Sequence, residues 1–279
     1  MTTTLDATLP ARGWKYWTVP DLVTVDGLET AYRRSGPGET VVYLHGAGNT
    51  RAWLPFHAAL AAGHDVIAPE HPGYGDTGRP PHFDSWEDWI LHYDGFFRAL
   101  GLGRFHLVGN SLGGMLAAKL AITYPERFKS VTLVNPLGLR LPGEPLRNLY
   151  RWDENETDEA YFNGRRDRYT DLLVQEGTPD DDVQAYKEAT STALLYWNPR
   201  YDRKLDQRLP RVTAPFLSIG VDDDRVIGNA MARRYAELVP NGRYTRVRGR
   251  AGEPSSHMVF LEQPEDTAAA IAEHIRASS

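Results

Sequence analysis

The chain has 279 residues, 41% hydrophobic and 24% charged, with 37 acidic against 31 basic side chains and a net charge of −6. That composition supports a large buried core, and its acidic balance argues against nucleic acid as the main partner, because phosphate binding calls for a basic surface. There is no cysteine, which excludes disulfides, thiolate nucleophiles, zinc–cysteine sites and iron–sulfur clusters.

At the N-terminus, MTTTLDATLPARGWKYW lacks a basic segment followed by an apolar run, so no signal peptide is predicted. No segment reaches the length of a membrane span. The expectation is a cytoplasmic protein without a membrane partner. Five short apolar runs follow: ETVVYLH (39–45), DVIAPEHPGYG (65–75), RFHLVGN (104–110), SVTLVNP (130–136) and APFLSIG (214–220). Continuous runs of this kind suit parallel strands buried on both faces. Between them lie amphipathic helices. In SWEDWILHYDGFFRAL, residues 86, 89, 90, 93, 96, 97 and 100 make one apolar face, which places Trp86 and Trp89 in the core. Helices are also predicted over 114–124 and 228–239. Strand–helix alternation of this kind indicates an α/β fold. Residues 136–210 break the rhythm: they are polar, aromatic and Arg-rich, and helical over 180–197. They read as a helical insertion into a core made of 1–135 and 211–279.

The chemistry concentrates after the third run. Gly109-Asn110-Ser111-Leu112-Gly113 fits G-x-S-x-G, with a strand before it and a helix after it. A nucleophile held on so sharp a turn has strained backbone angles, which bulky neighbours would oppose. A serine needs a base. Of nine histidines, His257 stands in a loop after the strand-like RYTRVRG and before the last helix, from which it can fold back over the sheet. His274, on the final helix, is expected to be exposed, and His45 to be structural. The base needs an orienting acid, and Asp222, Asp223 and Asp224 compete just past APFLSIG. The other common position, the end of SVTLVN, holds the neutral Asn135. Two backbone N–H groups, of Ala47 in His45-Gly46-Ala47-Gly48 and of Leu112 after the serine, are the candidate oxyanion donors. Without HExxH or paired histidines, no metal site is expected. Arg246, Arg248 and Arg250 read as a solvated strand edge.

Serine, aspartate, then histidine, preceded by HG, is the order of the α/β-hydrolase superfamily, which the chain resembles from about residue 21 to 276. The matching pieces are HGAG (45–48), PEHPGYGDTGRP (69–80), GNSLGG (109–114), DRVI (224–227) and HMVFLEQPE (257–265). The resemblance implies a mostly parallel sheet flanked by helices, Ser111 as nucleophile, His257 as base, an aspartate near 224 as orienter and a cap at 136–210. Distance from the strand and the following Arg225-Val226 pair favour Asp224, whereas counting from Gly220 favours Asp223. GNSLGG looks like the meta-cleavage-product hydrolases and also like simple esterases. The former usually carry a tryptophan just after the catalytic histidine, where this chain has Met258 and Val259. The leading expectation is therefore a serine hydrolase of an ester or lactone of a small apolar or aromatic molecule, needing no cofactor. Carbon–carbon bond hydrolysis and a ligand-binding protein with an idle triad stand as rivals. The expected partner is a small-molecule substrate, and the sequence is compatible with a homo-oligomer. Trp152, Trp197 and Arg166 are the candidate substrate contacts. Arg165 or Arg168 could equally pair a substrate carboxylate.

Overall fold

The computed structural model describes residues 14–145, 147–173 and 179–278. Its sheet opens with a hairpin that the five-run reading does not contain. Strands β1 (Asp21–Val25) and β2 (Leu28–Ser35) pair antiparallel across Asp26-Gly27, both with positive φ, 48° and 85°. Asp-Gly adopts those left-handed angles readily and matches the twist of the flanking strands. The turn signal was present in the sequence, but Glu29, Arg33 and Arg34 interrupt the apolar pattern of β2.

The remaining strands are β3 (Thr40–Leu44), β4 (Asp65–Pro69), β5 (Phe105–Asn110), β6 (Phe128–Val134), β7 (Phe216–Gly220) and β8 (Gly242–Arg246). They line up as β1-β2-β4-β3-β5-β6-β7-β8. β2 meets β4 antiparallel, and every later pairing is parallel. Two apolar clusters cover the faces of the sheet. One is built on α2 (Trp86–Ala99), α3 (Leu112–Thr123) and α8 (Ala230–Leu238), and the other on α1 (Pro55–Ala61), α9 (Val259–Glu262) and α10 (Pro264–Arg276). Burial on both faces is why the central strands read as unbroken apolar runs. Ser85 starts α2 by accepting from the Asp88 N–H at 3.2 Å, while the Asp88 carboxylate accepts from the Ser85 N–H at 3.0 Å. Trp89 is buried on this helix; Trp86 is partly buried and donates its indole N–H to Leu195 O at 3.1 Å.

His274 is buried, contrary to the exposure expected for it. Thr267, Ala268, Ile271, His274 and Ile275 form the inner face of α10 at helical spacing. Arg243 donates to its Nδ1 at 2.9 Å, and burial lowers its pKa to about 4.

Between β6 and β7 the described residues form no strand. They hold α4 (Glu154–Phe162), α5 (Thr170–Leu173), α6 (Pro179–Tyr196) and α7 (Leu205–Arg208). One foot of this insertion is Glu188 on α6. Its buried carboxylate accepts from Thr50 Oγ1 at 2.7 Å, the Gly75 N–H at 3.0 Å and Gln184 Nε2 at 2.9 Å. Because β3 and β5–β8 run parallel, the loops that follow them share one rim of the sheet. Loop 45–48, Ser111, Asp224 and His257 all lie there.

Candidate active site

Ser111 sits between β5 and α3 with φ 51° and ψ −112°, a left-handed conformation that a serine adopts only under constraint. Its N–H donates to Val134 O at 2.9 Å, and its carbonyl accepts from Leu137 and Met115 N–H groups at 3.1 and 3.2 Å. The flanking glycines are forced by close approach. A Cβ on Gly109 would stand 2.3 Å from Gly113 O, and one on Gly113 would stand 2.2 Å from Leu44 O. Any side chain there would push the turn off β3. Loop 45–48 passes directly alongside, since a Cβ on Gly46 would lie 3.2 Å from the Ser111 Cβ. Ala47 lies exposed in that loop, and Leu112 opens α3, so its N–H lacks an acceptor inside the helix.

The Ser111 hydroxyl lies 3.0 Å from His257 Nε2, and His257 Nδ1 lies 2.9 Å from Asp224 Oδ2. All three side chains are buried. A carboxylate only accepts, so Nδ1 carries the imidazole proton and Nε2 presents its lone pair to the serine O–H. The second oxygen of Asp224 accepts from the Val226 and Ile227 N–H groups at 2.9 and 3.0 Å, which anchors the carboxylate to its own loop. The structure thus brings Asp224, and not its neighbours, to His257. Asp223 turns outward to Arg225 Nε at 2.8 Å. Asp222 is half-buried: its Oδ2 accepts from the Gly249 N–H at 2.6 Å, and its own N–H donates to Ser255 Oγ at 2.9 Å. It ties the acid loop to the histidine loop.

Two buried histidines shape the neighbouring loop. His45 Nδ1 donates to Gly46 O at 2.6 Å and its Nε2 accepts from the His71 N–H at 3.0 Å, so the ring is neutral with its proton on Nδ1. Burial lowers its pKa to about 4 and drives that of His71 well down. His71 Nε2 donates in turn to His45 O at 2.8 Å.

Residues between β6 and β7 reach the loops that carry Asp224 and His257. The Tyr161 ring stands edge-on to His257 with centroids 5.4 Å apart, and burial raises the Tyr161 pKa to about 12. Asn163 Nδ2 donates to Asp223 O at 3.2 Å, and Arg225 pairs with Glu159 at 2.6 Å. Arg165 donates to Glu262 Oε1 at 2.8 Å, while Glu262 Oε2 accepts the N–H of Ser256, next to the histidine, at 2.8 Å. Arg165 is therefore committed to a carboxylate of this chain. Arg168 pairs with Glu253 at 2.6 Å. Arg166 is exposed and pairs with Glu154 at 3.2 Å, so the structure does not bring it to the triad. Trp197 is 53% exposed and packs on Tyr150. Trp152 is partly buried and meets Tyr161 edge-on, one ring removed from His257.

The sequence reading noted Asn135 only as a neutral side chain where another acid might stand. Its Nδ2 donates to His257 O at 2.9 Å from a residue with φ 43°, so it steadies the histidine backbone. Glu262 lies within HMVFLEQPE, where no motif marks it. A cavity of about 670 Å³ runs between α6 and residues 73–79 and is lined by none of Ser111, Asp224 and His257. A hollow of about 30 Å³, likewise lined by none of those three, is walled by Leu137, Leu139, Val226, Ile227, Tyr196 and Arg200, among others. Among the described residues, no group of His, Cys, Asp or Glu could hold a metal ion, and no helix is long and apolar enough to cross a membrane.

The alpha/beta hydrolase fold family matches residues 39–264. A 2-hydroxy-6-oxo-2,4-heptadienoate hydrolase of Pseudomonas putida is 29% identical over 256 residues, covering 87% of this chain and 91% of its own. A 2-hydroxy-6-oxononadienedioate/2-hydroxy-6-oxononatrienedioate hydrolase of Paraburkholderia phymatum is 30% identical over 250 residues, 81% of this chain and 84% of its own. Among solved structures, a meta-cleavage product hydrolase of Pseudomonas fluorescens superimposes with a TM-score of 0.73 at 24% identity, covering 92% of this chain and 98% of that one. The chain belongs to the alpha/beta hydrolase fold family.

Proposed function

We propose that this protein is a serine hydrolase that opens an ester or lactone of a small apolar or aromatic substrate through an acyl-enzyme on Ser111. The observation that carries this reading is the unbroken chain from the Ser111 hydroxyl through His257 to Asp224, at 3.0 and 2.9 Å. In it, His257 Nε2 takes the serine proton as Oγ attacks the carbonyl carbon. Asp224 keeps the ring in the required tautomer and stabilises the imidazolium that forms. The Ala47 and Leu112 N–H groups receive the charge on the carbonyl oxygen. His257 then gives its proton to the leaving group and activates water to release the acid. Residues 136–210 act as a cap that excludes bulk water and shapes the pocket, and the aliphatic walls at Leu137, Leu139 and Val226 suit an apolar substrate.

A second reading, hydrolysis of a carbon–carbon bond beside a ketone, is favoured by the names of the two relatives at 29% and 30% identity. The same serine and histidine would serve, with a carbanion in place of the alkoxide as leaving group. One experiment separates the two: purified enzyme is given 4-nitrophenyl butyrate and, separately, a 2-hydroxy-6-oxo-dienoate, each followed by its chromophore. Ester turnover well above dienoate turnover supports the first reading, and the reverse supports the second. In either case Ser111→Ala should lower kcat by about 10⁴-fold or more with an unchanged circular dichroism spectrum. A variant that retains wild-type turnover sinks both.

A further inference from the structure

Arg200, four residues past the end of α6, lines the small hollow. Two walls of that hollow are bonded to the proposed catalytic residues. The Leu137 N–H donates to Ser111 O at 3.1 Å, and the Val226 N–H donates to Asp224 Oδ1 at 2.9 Å. Leu139, Leu141, Leu149, Ile227 and Met231 also line it. A guanidinium is out of place in such surroundings unless something accepts its hydrogen bonds. Yet Arg200 Nε is buried, and among the described residues it has no acceptor.

A second donor nearby is in the same condition. The Tyr150 hydroxyl is also buried without a partner. It lies close enough to Arg200 for the guanidinium charge to favour its ionised form, against the burial that raises its pKa; Tyr196 feels the same charge. The two remaining charged residues on the wall, Glu144 and Arg147, are exposed and opposite in sign, so they leave the Arg200 charge unbalanced. A half-buried guanidinium whose Nε is buried without an acceptor, beside a buried hydroxyl without a partner, suits an anion with two oxygens. The aliphatic walls at Leu137, Leu139 and Val226 suit a short methylene chain. With about 30 Å³, the hollow has the room of roughly one water molecule. It takes the end group only, and the chain behind it would lie against Leu137 and Val226.

We propose that Arg200, with Tyr150, receives a carboxylate at the far end of the substrate's acyl group, so that the preferred substrates carry an acyl chain ending in a carboxylate. This rests on the reading of Ser111 as nucleophile, and it names the class of substrate that the site selects. The test compares two esters of equal length, 4-nitrophenyl hydrogen adipate and 4-nitrophenyl hexanoate, on the wild type, Arg200→Gln and Arg200→Lys. 4-Nitrophenyl acetate, which cannot reach the hollow, serves as the reference. The wild type should favour the adipate ester. Arg200→Gln should lose about 10- to 100-fold in kcat/KM on it, the range for a charge-assisted hydrogen bond, with hexanoate and acetate within about twofold. Arg200→Lys should recover part of the loss. Equal losses on adipate and hexanoate, or no preference in the wild type, overturn the proposal. Calorimetric titration of the protein with adipate and with hexanoate reads the subsite without turnover. Adipate binding that weakens at least about tenfold in Arg200→Gln upholds it even if no ester is cleaved, which would count against the ester reading alone. Adipate that binds wild type and variant alike overturns the subsite and leaves that reading standing.

Discussion

The two halves of the candidate site are held by different means. Ser111 is fixed by backbone. Its N–H and carbonyl are bonded to Val134, Leu137 and Met115, and Gly109 and Gly113 let helix and strands approach within distances that admit no side chain. None of this involves the β6–β7 helices. Asp224 and His257 stand on loops whose positions are shared with those helices through side chains: Arg165 to Glu262, Asn163 to Asp223, Arg225 to Glu159, and the Tyr161 ring on His257. The turn at Ser111 is thus a property of the sheet, whereas the loops that carry Asp224 and His257 are also held in register by side chains of the helices between β6 and β7.

The sharpest break in that comparison lies within the acid loop. Asp224→Asn leaves an amide that can donate to His257 Nδ1, so the ring adopts the wrong tautomer, and kcat should fall by roughly 10⁴-fold, as in the well-studied protease case. Asp223→Asn disturbs only a half-exposed pair with Arg225 and should stay within about twofold. Steady-state kinetics on a cleaved ester decide this, and a crippled Asp223→Asn beside an active Asp224→Asn would refute the geometry.

Arg165 tests whether the insertion positions the base. Arg165→Gln should lower kcat by roughly 10- to 100-fold, the range for a sub-ångström to ångström misplacement of a catalytic group, and leave KM nearly unchanged. It also leaves the Glu262 side chain, 4% exposed, without its cation, which should cost up to about 3 kcal/mol of stability. Arg165→Lys keeps the charge and should recover part of both. If KM rises and kcat holds, Arg165 serves substrate binding and the contrast between the two halves fails.

The smallest effect concerns acid, and it should act on the serine side. His45 and His71 are buried and neutral, with folded pKa values below the ordinary 6.5, about 4 for His45. A proton on His45 Nε2 would meet the His71 N–H that this atom now accepts. Above pH 6.5 the rings are neutral whether the chain is folded or not, so the stability is fully present. Below 6.5 the unfolded chain takes up protons that the folded rings refuse, so stability falls as pH drops from 6.5 towards 4. Thermal unfolding between pH 7 and pH 4.5 should show a declining Tm. A flat Tm over that range would mean that these rings are not held neutral.

Much of this molecule was legible in its sequence, and what was legible is local. Buried parallel strands are continuous apolar runs because both faces are covered. The serine turn is a five-residue pattern because its close approaches are admitted by glycines two residues away on either side. His257 stands in the loop that the sequence marked, 3.0 Å from the Ser111 hydroxyl. What the sequence could not decide depends on direction and on distant partners. Three consecutive aspartates differ only in where a loop points each side chain, and the choice of Asp224 is made by a ring 33 residues on. Arg165 and Arg166 are adjacent, yet one reaches Glu262, 97 residues away, while the other pairs at the surface with Glu154. His274 looked polar and peripheral until the stripe of Ile271 and Ile275 turned it inward. Local backbone preference falls off within a turn or two of chain. Burial and hydrogen-bond pairing between loops are set only when the sheet has brought those loops to one rim.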